Sequence, residues 1–232
     1  MKKFFTLIAV ATMAISAQAQ TTISMKGAKA SDFSFTQGDF TIGEKEVTIN
    51  EEKVKIETFT YDKKDKTNYS DLAFGNQLVF QYKNSGQKKD FYQLYPEYFY
   101  CNGKGSQIVV KNVKANQVII LKAASKGDTP SKFEAGDNCT ADSSNPDDAG
   151  DKETDVTKFK EFKFTVTTDG DVMIKETDNG FNLASITITS STGITSVKAA
   201  AQDGAIYNVA GQKVGSDYKG LVIKNGKKFV NK

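Results

Sequence analysis

The residues best suited to bind a ligand lie between positions 90 and 105, in the sequence DFYQLYPEYFYCNGKG. Six of the ten residues from Phe91 to Tyr100 are aromatic, and four of these are tyrosines. On one ideal strand, side chains alternate between two faces. The first face would hold Tyr92, Leu94, Pro96, Tyr98 and Tyr100, and the second would hold Phe91, Tyr95 and Phe99. Pro96 cannot donate a ladder hydrogen bond, which suggests an edge strand or a bend at that position.

Tyrosine rings offer a flat apolar surface on which a sugar ring can stack, with a polar tip beside it. Neighbouring amide and ammonium groups can then select sugar hydroxyls. The run therefore predicts a ligand-binding edge made by Tyr92, Tyr98, Tyr100, Asn102 and Lys104. The alternative is structural: the phenylalanines enter the core, and the tyrosines lie half-buried with their hydroxyls in water.

The composition excludes most catalytic and nucleic-acid-binding chemistry. All 31 basic residues are lysine, and histidine, arginine and tryptophan are absent. Without histidine there is no Ser-His-Asp or Cys-His catalysis, and without arginine there is no bidentate fork for phosphate or guanine. We expect no enzyme and no nucleic-acid partner. A carboxylate-based glycoside hydrolase or lyase is the remaining catalytic alternative, with pairs such as Glu57 and Asp62.

An acidic segment spans residues 128–157, with nine acids against two lysines and two of the three prolines. Its low apolar content predicts a mobile surface loop. No cofactor is expected, but carboxylate and amide oxygens are the ligands that calcium prefers. A calcium site in this loop would draw on Asp137, Asn138, Asp142, Asp147, Asp148 and Asp151.

The two cysteines, Cys101 and Cys139, leave two alternatives open. In an exported protein they could form one disulfide, closing a loop of about 39 residues. They could equally remain free thiols, because the sequence does not show whether their Cα atoms come close enough to be bridged.

The elements that carry these residues are predicted to be strands. Apolar and polar residues alternate through several short segments separated by turn residues, a pattern typical of an antiparallel β-sandwich. The clearest of these segments are 47–59, 77–82, 106–125, 159–177 and 182–190. We therefore predict an all-β domain over residues 20–192, followed by a small β-hairpin module over residues 193–232.

The order of these strands loosely resembles jelly-roll carbohydrate-binding modules of polysaccharide-degrading gut bacteria. The residues that carry the resemblance are 105–115, 118–121, 124–127 and 186–188. The resemblance implies a jelly-roll fold and a glycan partner.

The N-terminus is typical of a secretory signal peptide. Lys2 and Lys3 precede an apolar stretch too short to span a bilayer, and Ala17-Gln18-Ala19 fits the cleavage site of a signal peptidase. We expect residues 1–19 to be removed after Ala19. No other segment is apolar enough to predict a transmembrane helix.

The C-terminal 40 residues differ in charge from the rest of the chain. Residues 193–232 contain seven lysines and two acids, whereas residues 20–192 contain 22 lysines and 26 acids, which favours a boundary near Thr192-Gly193. Two hairpins are predicted, with turns at Ala210-Gly211 and Asn225-Gly226. The tail resembles the C-terminal sorting domain of proteins exported by the type IX secretion system of Bacteroidetes. The matching residues are 206–214, 219–223 and 225–228.

Taken together, these patterns predict a secreted or outer-cell-surface, non-catalytic β-sandwich protein that binds a polysaccharide or surface glycan. The alternative is a structural or adhesive protein that binds another protein of the cell envelope.

Overall fold

The computed structural model describes residues 20–62, 67–83, 90–190, 206–208, 212–215, 217–224 and 227–231. These residues form 19 β-strands and two short 3₁₀ turns, Ala30–Asp32 and Val156–Lys158. The strands are β1 Thr21–Ser24, β2 Phe33–Phe35, β3 Phe40–Ile49, β4 Glu52–Tyr61, β5 Ser70–Phe74, β6 Leu78–Tyr82, β7 Asp90–Leu94, β8 Phe99–Cys101, β9 Gln107–Val113, β10 Gln117–Ser125, β11 Phe133–Ala135, β12 Cys139–Ala141, β13 Lys160–Val166, β14 Gly170–Glu176, β15 Phe181–Ser190, β16 Ile206–Asn208, β17 Lys213–Val214, β18 Gly220–Lys224 and β19 Lys227–Asn231. The predicted all-β fold is confirmed.

The chain divides into two compact units, residues 1–191 and 192–232. The first unit contains a nine-stranded sheet in the order β12-β13-β10-β15-β8-β7-β4-β3, with β1 also paired to β15. It also contains a six-stranded sheet in the order β11-β14-β9-β6-β5-β2. The strands of both sheets pair antiparallel, as in a β-sandwich.

Aromatic rings from both sheets make the core of the first unit. Phe80 of the six-stranded sheet stacks on Phe99 of the nine-stranded sheet, with ring centroids 4.2 Å apart. Tyr82 stacks in the same way on Phe91 at 3.9 Å. Ring pairs of this kind stabilise a core by about 0.5–1.5 kcal/mol beyond the burial of their area. Phenylalanine and tyrosine thus share the core with leucine, isoleucine and valine, and the chain contains no tryptophan.

The acidic segment 128–157 is not the strand-free loop that its composition predicted. It contains β11, which pairs with β14, and β12, which pairs with β13. Ser131 is fully buried and Ala149 nearly so, and the Ala149 N–H donates to the Ser131 carbonyl over 2.8 Å. Short polar side chains satisfy the nearby backbone: Asp142 Oδ1 accepts from Ser144 N–H at 2.8 Å. Strand pairing and such local bonds order the segment without a large apolar contribution.

The second unit contains one four-stranded sheet in the order β17-β16-β18-β19. Both predicted hairpins are present, as β16 with β17 and β18 with β19. The structure adds a pairing that the sequence did not predict, between β16 and β18, which joins the two hairpins. The predicted turns at Ala210-Gly211 and Asn225-Gly226 lie outside the described residues.

The predicted signal peptide, residues 1–19, also lies outside the described residues. Among the residues that are described, no helix has the length and apolar character needed to cross a membrane.

Candidate functional site: a groove lined by tyrosines

The aromatic run is a hairpin, so the prediction of one continuous strand through residues 91–100 is wrong. β7 ends at Leu94 and β8 begins at Phe99. The four residues between them form a tight turn, in which Tyr95 N–H donates to the Tyr98 carbonyl at 3.0 Å. Pro96 lies inside this turn. No strand pairing requires a backbone N–H at this position, so the lack of one in proline costs no hydrogen bond. The two faces assigned by simple alternation therefore do not exist.

Tyr92 belongs to the core and is not available as a ligand-binding residue. It is 0% exposed and packs against Phe99 with centroids 5.1 Å apart. Its neighbour Phe91 is equally buried, because the register between β4 and β7 shifts between Phe59 and Thr60. This bulge inserts one extra residue and breaks the two-residue alternation. Consecutive aromatic side chains can then both face inward.

Tyr98 is largely buried in a smaller cluster outside the main core. Its ring stacks on Tyr95, with centroids 4.6 Å apart and planes 11° apart. Phe159 packs against it at 5.9 Å, and only 6% of Tyr98 is exposed. Tyr98 therefore serves as a support, whereas half-buried Tyr95 and Tyr100 present surface to solvent.

The structure separates Asn102 and Lys104 from this cluster. Both lie in the loop between β8 and β9, and neither lines the groove beside Tyr95 and Tyr100. The Asn102 N–H donates to the Phe91 carbonyl at 2.8 Å, which fixes the start of the loop. Of the five predicted ligand-binding residues, only Tyr98 and Tyr100 line the groove.

The floor of the groove is formed by residues that lie opposite one another on three neighbouring strands. Gln93 of β7 lies opposite Tyr100 of β8, and Tyr100 lies opposite Asn182 of β15. Core residues such as Phe99 and Leu183 alternate with this row, so the row lies on the face of the nine-stranded sheet that points away from the core. We call the cavity above it the tyrosine groove, and its volume is about 730 Å³.

Three segments make the walls of the tyrosine groove. The first is the β7–β8 turn, and the second is the tip of the β3–β4 hairpin, where Asn50 and Glu51 have φ of 49° and 68° as a two-residue type I′ turn requires. The third is the end of the acidic segment. The wall residues are Lys45, Thr48, Ile49, Asn50, Tyr95, Pro96, Glu97, Tyr98, Lys126, Lys152, Thr154, Asp155 and Val156.

The tyrosine hydroxyls of the groove remain protonated at physiological pH. Burial raises the pKa of Tyr100 to about 12, with the nearby Tyr95 adding to the effect. Burial also raises the pKa of Tyr98 and of Tyr95. These hydroxyls can therefore donate hydrogen bonds, and Tyr95 donates to Gln93 Oε1 at 3.3 Å.

Asn182 carries an unsatisfied acceptor at the groove floor. Only 1% of Asn182 is exposed, and its Nδ2 donates to the Glu153 carbonyl at 2.8 Å. Its Oδ1 is buried and has no hydrogen-bond partner among the residues that the structure describes. A buried acceptor of this kind is unfavourable unless a ligand or water supplies a donor. Asn182 Oδ1 is thus an acceptor at the groove floor that still needs a donor.

Sequence reasoning missed Gln93, Tyr95 and Asn182. Tyr95 could have been found by treating Pro96-Glu97 as a turn, which would have brought Tyr95 and Tyr98 together. Gln93 and Asn182 carry no such signal, because their meeting depends on the pairing of β7, β8 and β15.

The two cysteines are buried free thiols, and the alternative of a disulfide is wrong. Cys101 lies in β8 and Cys139 in β12, four strand positions apart in the same sheet. At about 4.8 Å per strand the separation is roughly 19 Å. A disulfide needs Cα atoms within about 7 Å.

The calcium site remains a prediction without a preformed cluster. Among the described residues, no group of three His, Cys, Asp or Glu side chains could hold a metal ion. Two of the predicted ligands bind backbone instead: Asp142 accepts from Ser144 N–H, and Asp148 from Gly150 N–H, each at 2.8 Å.

Comparison of the chain with protein-family models, curated proteins and solved structures found no match. The resemblances of the central strands and of the tail therefore stay predictions.

Proposed function

We propose that this chain is a non-catalytic β-sandwich protein that binds a glycan in the tyrosine groove. The observation that carries the proposal is that half-buried Tyr95 and Tyr100 line one cavity, with the buried, unsatisfied Asn182 Oδ1 at its floor. Sugars present apolar ring faces and many hydroxyls, so they need both an aromatic surface and fixed polar partners.

The groove has dimensions suited to a few sugar rings. Its volume of about 730 Å³ falls within the range of roughly 300–1,000 Å³ usual for ligand sites. Tyr98 and Phe159 support Tyr95 from below, so the aromatic surface is held in place before a ligand arrives. Such preorganisation lowers the entropy lost on binding.

The acids of the groove favour binding over hydrolysis. A glycosidase needs one carboxyl group with a raised pKa as general acid and a second as nucleophile or base. Hydrogen bonds from the Thr157 hydroxyl and N–H lower the pKa of Asp155. Glu97 is ion-paired to Lys26 at 3.1 Å. Asp155 therefore lacks the raised pKa of a general acid, and the Glu97 carboxylate is held by Lys26.

The proposal also places the protein outside the cell. It rests on the signal-like residues 1–19 and on the resemblance of residues 193–232 to a type IX sorting domain. A glycan binder at the outer surface would meet polysaccharides directly.

The test is affinity electrophoresis of the full-length protein through gels containing a panel of plant and host polysaccharides. Retardation by at least one polysaccharide is expected, and Tyr100→Ala should lose it while keeping its circular dichroism spectrum. Tyr207→Ala serves as the matched control, because Tyr207 is an exposed tyrosine of the second unit. Absence of retardation in every gel would refute glycan binding and leave a protein partner as the alternative.

A further inference from the structure

We propose that the tyrosine groove selects acidic glycans, those whose sugars carry carboxylate groups. This inference rests on the proposed function and specifies its ligand class. It starts from the charges of the groove lining, which comprise Lys45, Lys126 and Lys152 against Glu97 and Asp155.

Both acids form exposed ion pairs with lysines outside the groove. Glu97 forms a salt bridge with Lys26 at 3.1 Å. Asp155 lies 3.5 Å from Lys158, and its Oδ1 also accepts from the Thr157 N–H at 3.0 Å. The nearest cation of each carboxylate is thus a lysine outside the lining.

Two of the groove lysines have no acidic partner among the described residues. Lys45 and Lys152 make no salt bridge with any residue in the part of the chain that the structure describes. Lys45 extends from the edge strand β3, and Lys152 from the acidic segment, so the charges come from different walls. An anionic group bound in the groove would be attracted by both.

The remaining polar atoms of the groove suit the rest of an acidic sugar. The protonated Tyr100 hydroxyl can donate to a carboxylate, and Asn182 Oδ1 can accept from a ring hydroxyl. Lysine ammonium groups are compact point charges with three rotatable donors, so they can bind a carboxylate without the planar geometry that arginine imposes. The groove thus offers a donor set for the acid and an acceptor for its hydroxyls.

The experiment compares matched polysaccharides that differ only in charge. Polygalacturonate, hyaluronan and alginate are each tested beside their carboxyl-reduced forms, which keep the rings and replace the carboxylate with a neutral alcohol. Affinities of the full-length protein are measured by affinity electrophoresis and by titration calorimetry. We expect at least one acidic polymer to bind, with its reduced form at least about tenfold weaker, since hydrogen bonds to charged groups are the stronger ones.

Two double variants test whether the lysines of the groove cause the preference for acidic polymers. Lys45→Gln/Lys152→Gln should weaken binding of the acidic polymer by about tenfold or more and reduce its dependence on salt. Lys111→Gln/Lys175→Gln removes the same charge from the six-stranded sheet and should bind as the wild type does. Equal loss in both variants would show a general charge effect and would overturn the assignment to the groove.

The outcomes separate this inference from the proposed function. Binding of neutral glycans, or of the reduced forms as tightly as the acidic ones, would overturn acid selection and leave glycan binding intact. Binding of no glycan, neutral or acidic, would overturn both.

Discussion

The packing of Tyr98 makes it a support of the groove, and its removal should unfold the protein more easily. The ring is 6% exposed, stacked on Tyr95 at 4.6 Å and packed on Phe159 at 5.9 Å. An aromatic side chain buries about 150–250 Å², which at about 25 cal/mol per Å² is roughly 4–6 kcal/mol. Because unfolded chains already bury part of that surface, we expect Tyr98→Ala to lower the free energy of unfolding by about 3–4 kcal/mol.

The assay is urea and thermal unfolding followed by circular dichroism. For a domain of this size, each kcal/mol shifts the melting temperature by about 2–4 °C, so Tyr98→Ala should melt roughly 6–16 °C below the wild type. Tyr98→Phe keeps the ring and should stay within about 1 kcal/mol. A melting temperature of Tyr98→Ala within 2 °C of the wild type, on the order of a surface substitution, would refute the packing described.

Three further predictions test other buried groups. Glu176 Oε1 accepts from the N–H groups of residues 178–180 at 2.7–2.9 Å, yet burial raises its pKa above the usual 4.5. Its ionisation therefore opposes folding, and the stability of the wild type should fall as the pH rises from 4.5 through the raised pKa. In Glu176→Gln, the free energy of unfolding measured with urea from pH 4 to pH 8 should show no such fall. An identical fall in this variant would contradict the prediction. The free thiols predict that reductant leaves the melting temperature unchanged and that iodoacetamide labels neither cysteine before unfolding, since burial raises the pKa of Cys101 to about 12. Gly180→Ala should destabilise strongly, because at φ +84° its Cβ would lie 2.3 Å from the Cys101 carbonyl oxygen. At Gly75, φ is +57° and an added Cβ would have nothing within 4 Å. Gly75→Ala should therefore lower the free energy of unfolding only by the cost of a positive φ, about 1–2 kcal/mol. Equal losses in the two variants would argue against the clash at Gly180.

The strands of the sandwich could be predicted from alternation because one face of each is buried. Phe162, Phe164 and Val166 alternate with exposed or half-buried residues along β13, and all three are at most 1% exposed. Alternation also misleads where a bulge interrupts it. Leu183 and Ile186 differ by an odd number of positions, yet both are 0% exposed, because the register between β10 and β15 shifts beside Lys122.

Interrupted alternation also explains why only some of the predicted ligand-binding residues line the groove. Tyr92 was assigned to solvent by counting along one strand, but the turn at Pro96 and the bulge beside Phe91 change the count on both sides of it. Whether a tyrosine of this run faces the core or the groove depends on its pairing with β4 and β15. Pairing between strands far apart in sequence leaves no local signal in a single chain.

The composition of the acidic segment predicted too little order, yet the segment contributes to the candidate functional site. Its composition predicted a solvated loop, because it has too few apolar residues to form a core of its own. The sheet supplies what the segment lacks: Glu153 N–H donates to the Ser125 carbonyl at 3.3 Å, and Asn182 Nδ2 donates to the Glu153 carbonyl. Phe159, immediately after the segment, anchors it against Tyr98. Lys152, Thr154, Asp155 and Val156, held in this way, form one wall of the tyrosine groove, so a polar segment bound to the outer face of the sheet helps to shape the groove.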